Sequence, residues 1–206
     1  MRGRPAGAVP TPMAELEAVL REVRACTRCA AHLPLGPRPV VRGGAAARLL
    51  IISQAPGTRV HETGLSFNDR SGDRLRHWLG IERALFYDED RVAIMPMGFC
   101  YPGRYPQGGD LPPRRECAAL WHERLLRQWP RIGLTLLVGS YAIDHYLAGR
   151  RQPTMTATVA AWRDYLPRFL PLPHPSWRTT IWEKNHPWFA TEIVPEVRRR
   201  VAALTD

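Results

Sequence analysis

The chain has 206 residues, 45% of them hydrophobic and 23% charged, a balance that fits one globular domain with a sizeable core. No apolar run approaches the roughly 18 residues of a membrane-spanning helix, and the start, MRGRPAGAVPTP, lacks the apolar stretch of a secretory signal. A cytoplasmic protein is therefore expected, monomeric and without membrane contact. The net charge of +10 and pI near 10.3 favour an anionic partner, nucleic acid first. The bland alternative is a generally arginine-rich surface, since Lys184 is the lone lysine among 29 basic residues.

Residues 1–12 are small and Pro-rich with no apolar period, and read as a flexible segment ahead of a single domain over 13–206. Helical spacing begins near Met13, with Leu16, Val19, Leu20 and Val23 on one face, and runs into Cys26. The run RLLIIS (48–53) before a Pro-Gly turn predicts a buried parallel strand. A helix follows over 74–79, a second strand over 92–97, and an amphipathic helix over 116–129 with Cys117 on its first turn. LTLLVG (134–139) predicts a third strand, with a helix after it through Ala142 and Tyr146. RFLPL (168–172) predicts a fourth, interrupted by Pro171, and a helix from Pro187 to about Ala203 closes the chain. Strands alternating with helices predict an α/β fold, a three-layer α/β/α sandwich around a mostly parallel four-stranded sheet. Ligand sites in such sheets lie beyond the carboxyl ends of the strands. That rule singles out SQAPG after the first strand, MPMGFCYP after the second and LPHPSWR after the fourth.

Four cysteines, Cys26, Cys29, Cys100 and Cys117, stand as C-x2-C, a long gap, and C-x16-C. So few cysteines in a chain this long do not make a disulfide scaffold. Four ordinary buried thiols would give no reason for the C-x2-C pair. Thiolates gathered from two distant segments suggest a closed metal site, either an iron–sulfur cluster or structural zinc.

The stretch Ser53–Leu75, SQAPGTRVHETGLSFNDRSGDRL, and the tripeptide His174-Pro175-Ser176 after an apolar strand resemble two motifs of the uracil-DNA glycosylase superfamily, with the cysteines in the register of its iron–sulfur members known as family 4. Matches fall at Ala55, Pro56, Gly57, Thr63, Gly64, Phe67, Gly72 and Leu75. The chain also departs from that pattern. Ser53-Gln54 replaces Gly-Glu, Val60 and His61 replace an acidic pair, and Pro96 stands where members often carry an Asn that reads the uracil edge.

The resemblance implies a glycosylase that flips a damaged base into a pocket and hydrolyses its N-glycosidic bond. Phe67 would stack on the base, with Asn68 beside it, and Ala55, Pro56 and Gly57 would line the site. His174 would donate to the base oxygen as charge develops there, and Ser176 would hold a phosphate. Gln54 could orient the water, and Asp69, just beyond Phe67, is the favoured carboxylate to activate it, with helix capping as its bland alternative. Trp177 and Arg178 would press into the DNA, or Trp177 and Trp182 would pack on the terminal helix. His32, His77, His122, His145 and His186 read as surface histidines. The resemblance resolves the metal towards a structural 4Fe–4S cluster. Uracil is the expected substrate. Deaminated purines (hypoxanthine or xanthine) and a DNA-binding homologue that has lost catalysis are the rivals.

Overall fold

The computed structural model describes residues 11–205. Apart from Thr11 and Pro12, the segment expected to be flexible lies outside the described residues. Helix α1 (Pro12–Arg24) opens where the sequence allows it. The Thr11 hydroxyl accepts from Ala14 N–H at 3.3 Å, and Pro12 occupies the first turn, where no N–H is needed. Leu16, Val19, Leu20 and Val23 form its buried stripe.

Four strands follow: β1 (Leu49–Ile52), β2 (Val92–Ile94), β3 (Leu134–Val138) and β4 (Phe169–Leu172). Every strand residue is buried, as a sheet covered on both faces requires. Their order is β2-β1-β3-β4 and all pairings are parallel, so the expected sandwich holds and the sheet is parallel throughout. Pro171 fits because β4 is an edge strand that pairs with β3 alone. The second strand ends at Ile94, earlier than the predicted Met97, because Pro96 has no N–H to give. The ladder nonetheless continues on either side of it, Met95 N–H to Ile51 O at 2.9 Å and Met97 N–H to Ser53 O at 2.8 Å.

Between β1 and β2 lie α2 (Thr58–Thr63), α3 (Arg70–Leu79) and α4 (Arg83–Phe86). Helix α3 starts four residues before its predicted first turn because Asp69 caps it, accepting from Gly72 N–H at 2.9 Å. The amphipathic helix before β3 runs over 115–128 and carries a π-helical turn, Ala118–His122, in its middle. The closing helix runs over 189–205. Its first turn, Phe189–Ile193, is also π-helical and precedes Pro195, whose ring and missing N–H a regular α-turn would not accommodate. That helix packs on α3 and β1, and α1 packs on Glu123–Gln128.

From β1 the chain moves outward to β2, then crosses back over β1 to β3. The direction reverses between β1 and β3, and the crevice at their carboxyl ends is where a ligand site belongs.

Candidate active site

A cavity of about 110 Å³ opens at that crevice. Its lining joins the turn after β1 (Ser53 to Gly57), the segment Ser66–Phe67 with Asp69, Pro96 after β2, and His174 after β4. Residues more than a hundred positions apart meet here because each follows a strand whose carboxyl end points the same way.

Phe67 is 8% exposed and its backbone lies in the left-handed region at φ 56°, the one non-glycine residue with positive φ among the described residues. A bulky side chain adopts that conformation only when its surroundings impose it, and such positions cluster at functional sites. Three contacts impose it here. Gly72 comes so close that a Cβ on it would sit 1.8 Å from Phe67 O. Arg76 Nη1 donates to the same carbonyl at 3.3 Å, and the ring meets Phe86 edge-on at 5.9 Å.

His174 lines the same cavity. Its backbone carbonyl accepts from Ser176 N–H at 2.8 Å and from the Thr179 hydroxyl, which fixes the residue. Neither ring nitrogen has a hydrogen-bond partner among the described residues, so the imidazole is held in place but free to bind. Gly139, at the end of β3, makes room for it: a Cβ there would lie 3.3 Å from His174 Cβ. Burial holds His174 below the ordinary imidazole range, against the pull of Asp69 and Asp110. A neutral ring in this position is a hydrogen-bond donor without a full charge.

Gln54, Ala55, Pro56 and Gly57 line the cavity as the sequence predicts, and Asp69 lines it while capping α3, so its two readings coexist. Asn68 turns away. Its Oδ1 accepts from Arg83 Nη2 at 2.8 Å, and it lines a neighbouring arginine-rich groove with Arg59 and Arg70. Ser176 is half-buried and does not line the cavity. Trp177 stands 72% exposed three residues beyond His174, with the Arg178 guanidinium 5.3 Å from its ring centre, and Ile181 projects one turn on. Trp182, by contrast, packs against Phe189 and Trp188.

Two residues escape the sequence reading. Asp110, from the loop between Cys100 and Cys117, lines the cavity. A Gly-Gly-Asp turn in a Pro-rich loop gives no local signal that it reaches Gly57 in the turn after β1. His122 is buried, not on the surface. Its Nδ1 pairs with the Tyr146 hydroxyl at 2.6 Å and its Nε2 with Pro96 O at 3.1 Å, so both ring nitrogens are satisfied. Burial lowers its pKa to about 4, and the ring holds the carbonyl of Pro96 from behind the cavity wall.

The four cysteines are free thiols and line one small pocket with Phe99, Trp121 and Leu33. Burial pushes Cys100 up to about 11 and Cys117 up to about 12, while the backbone N–H groups of Arg38 and Phe99 donate to the two sulfurs and favour thiolate. Among the described residues no group of His, Cys, Asp or Glu is arranged to hold a single metal ion. Four sulfurs that each bind a different iron of a cluster stand farther apart than four around one zinc. Four thiols converging on one pocket, three of them buried and two supported by backbone N–H groups, fit such a ligand set chemically.

Phe67 and His174 thus line one cavity at the carboxyl ends of a parallel sheet. The sequence model of the uracil DNA glycosylase superfamily matches residues 41–198, which take in every element from β1 into the closing helix. The chain belongs to the uracil DNA glycosylase superfamily, a grouping of DNA glycosylases that act on DNA.

Proposed function

We propose that the chain is a monofunctional, hydrolytic DNA glycosylase that removes uracil flipped out of DNA and leaves an abasic site for base-excision repair. The observation that carries this reading is that Phe67, held in a left-handed backbone, and His174, whose ring nitrogens have no hydrogen-bond partner among the described residues, line the same cavity. A base entering the cavity stacks on Phe67. As the glycosidic bond breaks, negative charge gathers on the base oxygen, and the neutral His174 donates a hydrogen bond to it. Gln54, which lines the cavity, orients a water or the base edge. Trp177, exposed and three residues beyond His174, supports the duplex side of the reaction, since an exposed aromatic can fill the gap that a flipped base leaves.

The four cysteines would hold a structural 4Fe–4S cluster in the manner of the family 4 enzymes, tying the end of α1 to the loop that leads into the helix over 115–128. A reducing cytoplasm would keep the thiols available for it. One observation favours a second substrate. Pro96 lines the cavity and presents no side-chain amide, and its carbonyl is already taken by His122, so the uracil edge loses one reader and selection against deaminated purines weakens.

The test is an excision panel on single- and double-stranded oligonucleotides carrying one uracil, hypoxanthine or xanthine, with abasic sites read by alkaline cleavage. Uracil excision that falls sharply in His174→Ala while DNA binding persists supports the reading. Excision of a purine alone supports the second substrate. Binding without cleavage of any base, by protein with its metal in place, would refute the enzyme.

A further inference from the structure

The turn after β1 carries no carboxylate: it reads Ser53-Gln54-Ala55-Pro56-Gly57. Asp69, the other acid that lines the cavity, spends Oδ1 on the Gly72 N–H that starts α3. Asp110 is differently placed. Its Oδ2 lies 3.6 Å from where a Cβ of Gly57 would be, so the carboxylate rests against the backbone of the turn after β1. It accepts no hydrogen bond among the described residues, and its ion-pair partner, Arg104 Nε, is 3.7 Å away, beyond hydrogen-bonding distance.

Its depth in the cavity also suits it. The Asp110 side chain is 41% exposed, against 8% for the Phe67 residue, so the acid stands at the mouth and the ring on the floor. A base stacked on Phe67 leaves its sugar at the mouth. A tight hairpin fixes the acid there. Leu111 N–H bonds Gly103 O at 2.9 Å, Tyr105 N–H bonds Gly109 O at 2.9 Å, and Gly103, Gly108 and Gly109 supply the positive φ the turn needs. Burial raises the Asp110 pKa above its ordinary carboxylate value, which strengthens it as a base, while the Arg104 charge works the other way.

We propose that Asp110 is the catalytic carboxylate that orients and deprotonates the attacking water. This rests on the glycosylase reading above. The water oxygen bonds to C1′ of the sugar as the C1′–N bond to the base breaks, and the base leaves with that electron pair. The water proton passes to the Asp110 carboxylate, and the departing anion is held by the His174 hydrogen bond until it takes a proton from solvent. Asp69 keeps its place at the start of α3 and shapes the wall.

The experiment is single-turnover excision by wild type, Asp110→Asn, Asp110→Glu and Asp69→Asn. It is run on the base that wild type excises best, with binding measured separately on an oligonucleotide whose 2′-fluorinated sugar resists cleavage. Asp110→Asn is expected to lower the rate about 10²-fold or more with binding and melting temperature close to wild type, and Asp110→Glu to recover part of the loss. Asp110→Asn within threefold of wild type, or a large rate loss confined to Asp69→Asn, would overturn the assignment while leaving the glycosylase reading intact. A wild-type protein that binds every oligonucleotide and cleaves none would refute that reading and this inference together.

Discussion

Gly72→Ala should injure the base platform from behind. The new methyl would sit 1.8 Å from Phe67 O, 2.6 Å from Phe67 C and 2.9 Å from Phe67 Cβ. Carbon contacts are comfortable near ~3.5 Å, so the Phe67 carbonyl must retreat by well over ~1 Å. The obstacle is backbone in a constrained conformation, so it cannot yield as a side-chain tip would. Alanine at the third helical position gains about 1 kcal/mol of helix propensity over glycine. Overpacking of this kind costs roughly 1–3 kcal/mol, here at the upper end. The balance is a loss of roughly 1–2 kcal/mol, a fall in melting temperature of about 2–8 °C for a domain of this size. A displacement of ~1 Å in a reacting geometry costs on the order of 10²-fold in rate. Thermal melts with single-turnover excision would check both. A Gly72→Ala protein that melts above wild type and excises at full rate would refute the tie between this glycine and the Phe67 backbone.

Three further outcomes are expected. The unfolded chain binds a proton at His122 near pH 6.5 and the folded chain only near about 4. Between those values the unfolded state holds more protons, so stability falls on acidification, by up to about 3 kcal/mol for this group. His122→Phe, less stable at neutral pH because Tyr146 and Pro96 lose their partner, should show a shallower acid slope in pH-scanned melts; an unchanged slope would contradict the buried neutral imidazole. Cys26→Ser should abolish most bound iron, read by visible absorbance and metal analysis, and lower the melting temperature; full iron content would remove Cys26 from the ligand set. Trp177→Ala should leave stability within ~0.5 kcal/mol because the side chain faces solvent. It should slow excision from duplex about tenfold, and from single strands much less, since stacking there is worth roughly 1–3 kcal/mol; equal effects on both substrates would argue against a role in flipping.

The parts of the fold legible in the sequence are those whose physics is local. The four strands are short apolar runs ended by turn residues, and α1 shows its stripe through Leu16, Leu20 and Val23. The short helices at Thr58–Thr63 and Thr179–Asn185 stayed hidden because each spans under two turns and buries one residue, Val60 and Thr179 respectively. Residues that stand directly after strands, such as Gln54 and His174, were readable because strand ends converge by rule. Asp110 was not, because its place depends on how a long loop folds back. His122 was misread because burial of a histidine depends on partners, here Tyr146 and Pro96, that no local pattern predicts. Asn68 was placed by adjacency to Phe67, yet the left-handed turn at Phe67 swings the next side chain outward to Arg83.

The order in which the cavity walls are made has a consequence for synthesis. Chains fold from the N-terminus as they emerge, and the segment carrying Phe67 and Gln54 is complete long before the edge strand β4 appears. Until β4 pairs with β3, the imidazole of His174 has no strand end to stand on and no Gly139 to rest against. A nascent or truncated chain can therefore present basic surface to DNA but lacks the group that would stabilise a departing base. On the proposed role of His174, release of a base waits until the last ladder closes, and in a denaturant titration excision should vanish together with the sheet rather than ahead of it.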